Sequence, residues 1–315
     1  MTAFAAFAFV FPGQGSQSVG MLSAWGDHPA VRATLEEASQ ALGEDVAQLI
    51  AEGPKESLDL TTNTQPVMLT AGIANYRAWL AEGGPLPAAV AGHSLGEYTA
   101  LVAAGSLSLA DALPLVRLRA QAMQDAVPVG TGGMAAILGL DAATVREGCA
   151  KAMAESGEVV EAVNFNDPKQ IVIAGSKAGV EAGCIVLKAM GAKRALPLPV
   201  SAPFHSSLMK PAAERLRERL VSIQINTPQI PVVNNIDVAV HTEADAIRDA
   251  LYRQAFGPVR WVEVIQALKA RGLGTMLECG PGKVLAGMAK RIDAELTSAT
   301  IFDPASLADA KALLA

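Results

Sequence analysis

A serine between two glycines stands out at residues 92–96, where the chain reads Gly-His-Ser-Leu-Gly. An apolar run at residues 88–91 precedes this pattern and predicts a strand, and a helical spacing follows it as far as Gly105. In a sharp strand-to-helix turn, the flanking glycines remove Cβ atoms that would collide, so the serine hydroxyl projects at the helix N-terminus. Backbone amides there can stabilise a developing oxyanion. The pattern therefore predicts that Ser94 is a catalytic nucleophile.

A serine nucleophile needs a base, and four histidines could provide it. His93 follows the predicted strand directly, where successive side chains point to opposite faces, so we expect it to support the turn rather than take the serine proton. His28, just before Pro29, is expected to be a surface helix cap, and His241 lies in a polar stretch, so we expect both to be exposed to solvent. His205 lies in Ser-Ala-Pro-Phe-His-Ser, just before a predicted helix. We therefore expect His205 to act as the general acid and base.

The loop after the first predicted strand, residues 12–17, reads Pro-Gly-Gln-Gly-Ser-Gln. It does not complete a dinucleotide-binding fingerprint, because Ser18 stands where the third glycine is required. In serine enzymes, an oxyanion hole combines the amide that follows the nucleophile with an amide from a distant loop. We therefore predict that Leu95 and Gln14 are the two amide donors.

Short apolar runs alternate with segments of helical spacing, which is typical of an α/β protein. The predicted strands are residues 4–11, 88–91, 134–140, 158–165, 170–174, 231–234 and 275–278. The predicted helices are residues 29–42, 65–80, 95–104, 110–126, 142–156, 178–190 and 210–221.

One segment, residues 131–200, has its own order of strand, helix, strand, strand, helix and strand, which is the ferredoxin-like arrangement. Glycine and proline punctuate its two ends, at residues 128–133 and 197–199. We therefore expect two domains. A large α/β hydrolase-like domain with a central, mostly parallel sheet would comprise residues 1–130 and 201–315, and a small ferredoxin-like domain would be inserted as residues 131–200.

The composition favours a soluble, cytoplasmic enzyme. The 315 residues are 51% hydrophobic and 18% charged, and a chain of this length buries roughly three quarters of its unfolded surface. A net charge of -6 opposes nucleic-acid binding, which depends on neutralising phosphates. The apolar run at residues 4–11 has no basic segment before it and ends at Pro12, so we expect neither a targeting signal nor a membrane span. Cys149, Cys184 and Cys279 form no C-x-x-C pair, which favours a reducing compartment and neither disulfides nor a zinc site.

Several short motifs follow one another along nearly the whole chain. They are FPGQGSQ at residues 11–17, NTQP at 63–66, GHSLGEY at 92–98, RxxAM at 119–123, NFN at 164–166, ALPLPVSAPFH at 195–205 and ECGPGKVL at 278–285. Together they are similar to one family, the malonyl-CoA:acyl carrier protein transacylases, which includes the acyltransferase domains of fatty-acid and polyketide synthases.

The resemblance implies roles for the central residues. Ser94 resembles the nucleophile of the family and His205 resembles the base. The main-chain carbonyl of Gln254 is expected to orient the imidazole, where hydrolases use an aspartate. Arg119 resembles the residue that pairs with the free carboxylate of malonate, and a guanidinium binds a carboxylate through two parallel charged hydrogen bonds. Arg117, two positions away, falls on another helix face and is expected to be a structural or surface residue.

Weaker expectations come from the same resemblance. Gln14 and Leu95 resemble the oxyanion amides of the family, in agreement with the argument from the loop. Met123 and Asn164 resemble positions of the substrate pocket, although a core position and a turn position explain them equally well. Phe204 is similar to the residue that modular synthases associate with malonyl rather than the bulkier methylmalonyl groups.

As an activity, the resemblance implies an [acyl-carrier-protein] S-malonyltransferase. Such an enzyme moves a malonyl group from coenzyme A, through an ester on Ser94, to the phosphopantetheine thiol of acyl carrier protein for fatty-acid or polyketide synthesis. It implies a monomer with no metal and no permanently bound cofactor. Two alternatives remain open, a serine hydrolase or thioesterase with the same turn and a non-catalytic acyl-binding module. Lys188, Lys193 and Arg194 cluster at the end of the insert and would attract an acidic carrier protein.

Overall fold

The computed structural model describes residues 4–200 and 202–315. Residues 1–3 lie outside the description, as does Ser201, the first residue of the predicted second segment of the large domain. The strands in the described ranges are β1 (Ala8–Phe11), β2 (Ala89–Gly92), β3 (Gly132–Leu138), β4 (Val160–Asp167), β5 (Gln170–Ser176), β6 (Arg194–Pro197), β7 (Val232–Val233), β8 (Thr275–Cys279) and β9 (Thr297–Ile301).

Helices surround these strands. They are α1 (Pro29–Leu42), α2 (Val46–Glu52), α3 (Lys55–Leu58), α4 (Thr61–Ala81), α5 (Gly96–Ala103), α6 (Leu109–Asp125), α7 (Ala142–Ser156), α8 (Lys177–Ala189), α9 (Lys210–Val221), α10 (Ala244–Phe256), α11 (Trp261–Ala270), α12 (Val284–Ile292) and α13 (Pro304–Leu314). In the described ranges, no helix combines the length and the apolar character that crossing a membrane would require.

A parallel sheet forms the centre of the larger part of the molecule. Its five strands lie in the order β7-β2-β1-β8-β9, and every pairing between neighbours is parallel. All four residues of β1 are buried, because helices cover both faces of a parallel sheet and its central strands are apolar throughout. This arrangement confirms the predicted α/β fold with a central parallel sheet.

The carboxyl ends of β1 and β2 bring two of the predicted functional loops together. Phe11 and Gly92, the last residues of these strands, are paired in register. The loop at residues 12–17 and the turn at residues 93–95 therefore leave the same edge of the sheet side by side. In open α/β sheets, ligands bind beyond the carboxyl ends of the strands.

A second sheet, of four strands, lies between the two segments of the larger part. Its order is β4-β5-β3-β6, and all of its pairings are antiparallel. Helices α7 and α8 complete the predicted order of strand, helix, strand, strand, helix and strand. This sheet has its own apolar core, which includes Ile137, Val145, Ile173 and Leu187. The exact limits of the two domains, at residues 130/131 and 200/201, stay a prediction.

Strand β4 joins the second sheet to the larger part. The Phe165 amide donates a 2.9 Å hydrogen bond to the Val259 carbonyl, and the Val259 amide donates a 2.8 Å bond to the Val163 carbonyl. Nearby, Arg291 forms a 2.7 Å ion pair with Asp167. These contacts bring Asn164, which lies between the two bonded positions, towards the carboxyl edge of the parallel sheet.

The elements after residue 240 were mostly missed by the sequence patterns. Helix α11 contains Val262, Val264 and Ile265, whose β-branched side chains favour strands locally, so its helical form is set by tertiary packing. Strand β9 is an edge strand with Thr, Ser and Ala, and only its last residue is fully buried, so its apolar signal is weak.

The predicted first strand was too long, since β1 begins at Ala8 rather than at residue 4.

Candidate active site

Ser94 lies on a tight turn between β2 and α5, in a backbone conformation that is rare for a residue with a side chain. Its φ is 53°. A Cβ atom on Gly92 would lie 1.9 Å from the Gly96 carbonyl carbon, and a Cβ atom on Gly96 would lie 2.1 Å from the Phe11 carbonyl oxygen. Only glycine fits at either position, because both distances are far below van der Waals contact. The two glycines thus allow the turn to pack directly against β1.

The hydroxyl of Ser94 is paired with His205. The distance from Ser94 Oγ to His205 Nε2 is 2.7 Å, and His205 Nδ1 lies 2.9 Å from the main-chain carbonyl oxygen of Gln254. A carbonyl can only accept a hydrogen bond, so Nδ1 carries the ring proton and Nε2 is free to accept the serine proton. A main-chain carbonyl therefore occupies the place that an aspartate has in a serine-protease triad.

The His205 ring is buried, which determines its charge. Burial is the main cause that lowers the pKa of His205 to about 3, and the positive charge of Arg119 lowers it further. The hydrogen bond to Gln254 acts in the opposite direction and only partly offsets these causes. His205 is therefore neutral at physiological pH and available as a base.

Arg119 projects from α6 into the same site and is almost fully buried, with 2% of its surface exposed. Its guanidinium donates hydrogen bonds to Gln65 Oε1 at 2.8 Å, Gln254 Oε1 at 3.1 Å and Ser94 Oγ at 3.2 Å. All of these partners are neutral, and the Nε atom has no partner among the described residues. Burial lowers the pKa of Arg119 below its ordinary value. A buried cation beside the nucleophile thus lacks an anionic partner in direct contact.

Arg117, on the same helix, has different surroundings. It forms an ion pair with Glu44, and 29% of its side chain is exposed. The prediction of a structural or surface residue is confirmed for Arg117.

The two predicted oxyanion donors come from separate loops that meet at the cavity. Gln14 and Leu95 both line the cavity that contains Ser94. In the described part of the chain, neither backbone amide donates a hydrogen bond to another residue, whereas the Ser94 amide donates one of 2.8 Å to Asn235 Oδ1. The Gln14 side chain is held by a 3.3 Å bond to Thr61 Oγ1. Both amides thus remain available to an oxygen atom in the cavity.

The cavity has a volume of about 650 Å³ and lies between the two sheets. Residues of the larger part line one side of the cavity. Residues in and next to the second sheet line the other side, and they include Met134, Asn164 and Leu198. Asn164 Oδ1 is buried without a partner in the described ranges. Met123 and Phe204 also line the cavity, and Met123 is in contact with Gln65 through its sulfur at 4.0 Å.

His93 also lines the cavity, but its ring contacts other residues than Ser94. Its Nε2 atom lies 2.8 Å from Asn166 Oδ1, and its ring packs edge-on against Trp261 with centroids 5.5 Å apart. Burial lowers its pKa. The structure thus places His93 between the turn and the strand β4, apart from the serine proton.

His28 and His241 do not line the cavity; the prediction that His28 caps a helix is confirmed, but both rings are only partly exposed, less than predicted. His28 is the N-cap of α1, accepts a hydrogen bond from the Ala30 amide and has only 14% of its side chain exposed. His241 is 27% exposed and lies 2.9 Å from the Asp237 carboxylate. Each ring is partly covered because it serves a local cap or ion pair. No cluster of His, Cys, Asp and Glu that could hold a metal ion occurs in residues 4–200 and 202–315.

Sequence reasoning did not single out several polar residues that surround the site. Gln65 lies in the NTQP motif and Glu97 lies in the GHSLGEY motif, and these motifs are the signal that could have indicated them. Asn235 follows β7 and contacts the serine turn across 141 positions of sequence. No local pattern indicates a contact over such a separation.

Comparison with known proteins gives consistent matches. The family model described as acyl transferase domain matches residues 8–302. The malonyl CoA-acyl carrier protein transacylase of Escherichia coli (strain K12) is 53% identical, over 96% of this chain and 98% of that protein. The corresponding protein of Bacillus subtilis (strain 168) is 46% identical, over 95% and 94%.

Solved structures agree with these matches. The acyl-carrier-protein S-malonyltransferase from Burkholderia pseudomallei 1710b superposes with a TM-score of 0.96 at 66% identity, covering 98% of this chain and 100% of that one. A malonyl-transacylase in complex with its type II polyketide synthase acyl-carrier protein superposes with a TM-score of 0.96 at 49% identity, again covering 98% and 100%.

Proposed function

The chain belongs to the acyl transferase domain family, and from this membership we propose that it transfers a malonyl group from coenzyme A to the phosphopantetheine thiol of acyl carrier protein. The observation that carries the proposal is Arg119, a buried guanidinium 3.2 Å from Ser94 Oγ with only neutral hydrogen-bond partners. A free carboxylate on the acyl group would provide the missing anion. The product would supply fatty-acid or polyketide synthesis.

In the first half-reaction, Ser94 Oγ attacks the thioester carbonyl carbon of malonyl-CoA while its proton passes to His205 Nε2. The tetrahedral intermediate then collapses, the carbon–sulfur bond breaks, and the coenzyme A sulfur takes the proton from His205. A malonyl ester remains on Ser94. The 2.7 Å distance between Ser94 Oγ and His205 Nε2 supports this transfer in both directions.

In the second half-reaction, the phosphopantetheine thiol of the carrier protein gives its proton to His205 and its sulfur attacks the ester carbonyl. The ester carbon–oxygen bond breaks, and the proton returns from His205 to Ser94 Oγ. The backbone amides of Gln14 and Leu95 stabilise the oxyanion in both halves. Their lack of protein partners supports this role.

Binding of the malonyl carboxylate also prepares the base. The charge of Arg119 is one of the causes that lower the pKa of His205. An anion on Arg119 offsets that charge, so the imidazole accepts the serine proton more readily once malonyl-CoA is bound. The Gln254 carbonyl holds Nδ1 in the protonated tautomer during this step.

The other lining residues shape the acyl pocket. Met123 and Phe204 present apolar surface beside the nucleophile. The unpartnered Oδ1 atom of Asn164 is a hydrogen-bond acceptor aimed at a buried region, and an amide of the pantetheine arm provides a suitable donor. His93 supports the turn through its contacts with Asn166 and Trp261. These roles are inferred from the position of each residue along the cavity.

The proposal is tested by mixing the protein with radioactive malonyl-CoA with and without acyl carrier protein. We expect a stable malonyl ester on the protein when the carrier is absent, and rapid loss of the label to the carrier when it is present. Continuous release of free malonate without carrier protein would instead indicate a hydrolase. No label on the protein and no product would indicate a non-catalytic binding module.

We propose that an exposed basic patch receives the carrier protein. Lys188, Lys193 and Arg194 are exposed and form no ion pair in the described ranges. Arg194 is the first residue of β6, and the chain leads from β6 directly to Leu198, which lines the cavity. Acidic carrier proteins should therefore be guided towards the cavity entrance.

We expect salt to weaken the apparent affinity for acyl carrier protein more than it weakens loading from malonyl-CoA, because charge attraction between exposed groups is screened. The double variant Lys193→Glu/Arg194→Glu should raise KM for the carrier, by about 10-fold for a loss of about 1.4 kcal/mol. Arg271→Glu is the control, because this exposed residue lies before the amino end of β8 in the parallel sheet and does not line the cavity. An unchanged KM in the double variant would exclude the patch.

We also propose that the protein acts as a monomer in the cytoplasm. Cys149, Cys184 and Cys279 are all free thiols, which supports a reducing compartment. The reaction needs only malonyl-CoA and the phosphopantetheinylated carrier protein as substrates.

A further inference from the structure

Gln254 connects three groups of the active site. Its main-chain carbonyl accepts the hydrogen bond from His205, and its side-chain oxygen accepts one of 3.1 Å from Arg119. Its Nε2 atom donates to the Ser94 carbonyl at 3.0 Å and to Glu97 Oε2 at 3.0 Å. A small displacement of Gln254 would therefore disturb the base, the cation and the nucleophile at once.

Asn235 holds the serine turn from the other side. Its Oδ1 atom accepts a 2.8 Å bond from the Ser94 amide, and its Nδ2 atom donates a 2.7 Å bond to the Gly92 carbonyl. Its own amide donates a 2.8 Å bond to Glu97 Oε2. Asn235 is completely buried, so water cannot replace these bonds.

Glu97 is the common partner of both residues. A single carboxylate oxygen, Oε2, accepts from the Asn235 amide and from Gln254 Nε2. The residue is 2% exposed, lies in the first turn of α5 and does not line the cavity. Burial raises the pKa of Glu97 to about 7, which means that the buried environment disfavours the charged carboxylate. The contribution of Glu97 therefore lies in the two hydrogen bonds that it accepts.

The backbone around the nucleophile and the base needs external support. Ser94 and His205 both have positive φ, of 53° and 66°, which is uncommon for residues with side chains. Conformations of this kind persist where the surrounding structure over-determines them. The bonds from Asn235 and Gln254 reach the Ser94 amide and carbonyl, on both sides of the strained residue.

We propose that Glu97 is a positioning residue, whose Oε2 atom locks the turn carrying Asn235 to Gln254 and thereby aligns Ser94 with His205. The inference rests on the proposed function, because alignment matters only if these two residues react. A second link joins the same two segments further out, where Asp237 forms two 2.7 Å bonds with Arg253, the neighbour of Gln254. Glu97 is the inner link, next to the reacting atoms.

The test is the single-turnover formation of the malonyl ester, followed by intact mass at increasing malonyl-CoA. In Glu97→Ala we expect the rate constant at saturation to fall by about 10²-fold, the size of loss that a misplaced reacting group produces. The half-saturating concentration should change by no more than about threefold, because Arg119 keeps its separate bond to Gln65 and still binds the carboxylate. Glu97→Gln retains an acceptor oxygen and should recover the rate to within about 10-fold of wild type.

Glu278→Ala is the matched control. Glu278 is also a buried carboxylate whose pKa is raised to about 7, but it accepts from the Ala286 amide at the start of α12 and does not line the cavity. Both alanine variants should lower the melting temperature, and only Glu97→Ala should slow acylation. Equal acylation rates in Glu97→Ala and wild type, or equal slowing in Glu278→Ala, would overturn the inference, as would a Glu97→Gln variant as slow as Glu97→Ala.

If Glu97→Ala does not fold, Gln254→Met tests the same link from its other end. This variant keeps the carbonyl for His205 and removes the side-chain bonds to Glu97, Ser94 and Arg119, while Arg119 keeps its bond to Gln65. We expect a comparable fall in the saturating rate, and a wild-type rate would refute the link. Failure of wild-type protein to form any ester on Ser94 would instead refute the proposed function, so the two failures are distinguishable.

Discussion

The Arg119→Ala variant should lose malonyl transfer by about 10²- to 10⁴-fold while acetyl transfer falls far less or rises. Removing one partner of a buried ion pair costs about 3–5 kcal/mol, because the other charge is left without compensation, and this converts to the stated range of rates. In wild type, an acetyl group leaves the buried guanidinium without an anion. In the variant, the malonyl carboxylate is the unpaired group. The preference between the two thioesters should therefore shrink or reverse.

The measurement is kcat/KM for malonyl-CoA and acetyl-CoA on both proteins. Arg117→Ala is the matched control, since Arg117 lies on the same helix but pairs with Glu44 outside the cavity, and it should keep the wild-type preference. Equal losses for the two thioesters in Arg119→Ala would mean that Arg119 supports the serine turn through its bonds to Ser94 and Gln254 and that the carboxylate is bound elsewhere.

The Ser94→Ala variant should form no malonyl adduct and should lose turnover by about 10⁶-fold, as serine-nucleophile enzymes do when the nucleophile is removed. Among the residues that the structure describes, His205 Nε2 forms its hydrogen bond with Ser94 Oγ alone. The substitution removes the bonds of Ser94 Oγ to His205 and Arg119, but the main-chain bonds from Asn235 and Gln254 to the turn remain. The variant should therefore fold and bind malonyl-CoA.

Intact mass after incubation with malonyl-CoA gives the answer directly. Ser18→Ala, a change at an exposed serine outside the cavity, should label like wild type. An adduct of malonyl mass on Ser94→Ala would show that another residue is the nucleophile. Ping-pong kinetics in wild type would accompany the expected result.

The regular elements with strong periodicity were predictable from the sequence. Helices α1, α7 and α9 have the predicted bounds, because their apolar spacing is clear and their ends carry Pro, Gly or Asp in capping positions. The Gly-x-Ser-x-Gly turn was equally clear, since Gly92 and Gly96 are required by close contacts within a few residues of the serine and with β1.

Contacts that depend on tertiary structure were less accessible. Residue type and the neighbouring motif indicated His205, but its 2.7 Å contact with Ser94 spans 111 positions and depends on how the inserted sheet returns the chain. Gln254 and Arg119 entered only through the resemblance to a family. Asn235 was missed, because an asparagine after a short strand has many local explanations and its bonds to the serine turn exist only in the folded state.

Because the cavity lies between the two sheets, the reacting residues and some of the residues that contact the substrate belong to different parts of the fold. Ser94, His205 and Gln254 sit on the framework of the parallel sheet and hold one another, whereas Met134, Asn164 and Leu198 come from the other side of the cleft. We therefore expect substitutions on that wall to alter how the substrate fits while the reacting atoms stay in place. In such a fold, the substrate-contacting wall can vary between related proteins while the reacting residues remain the same.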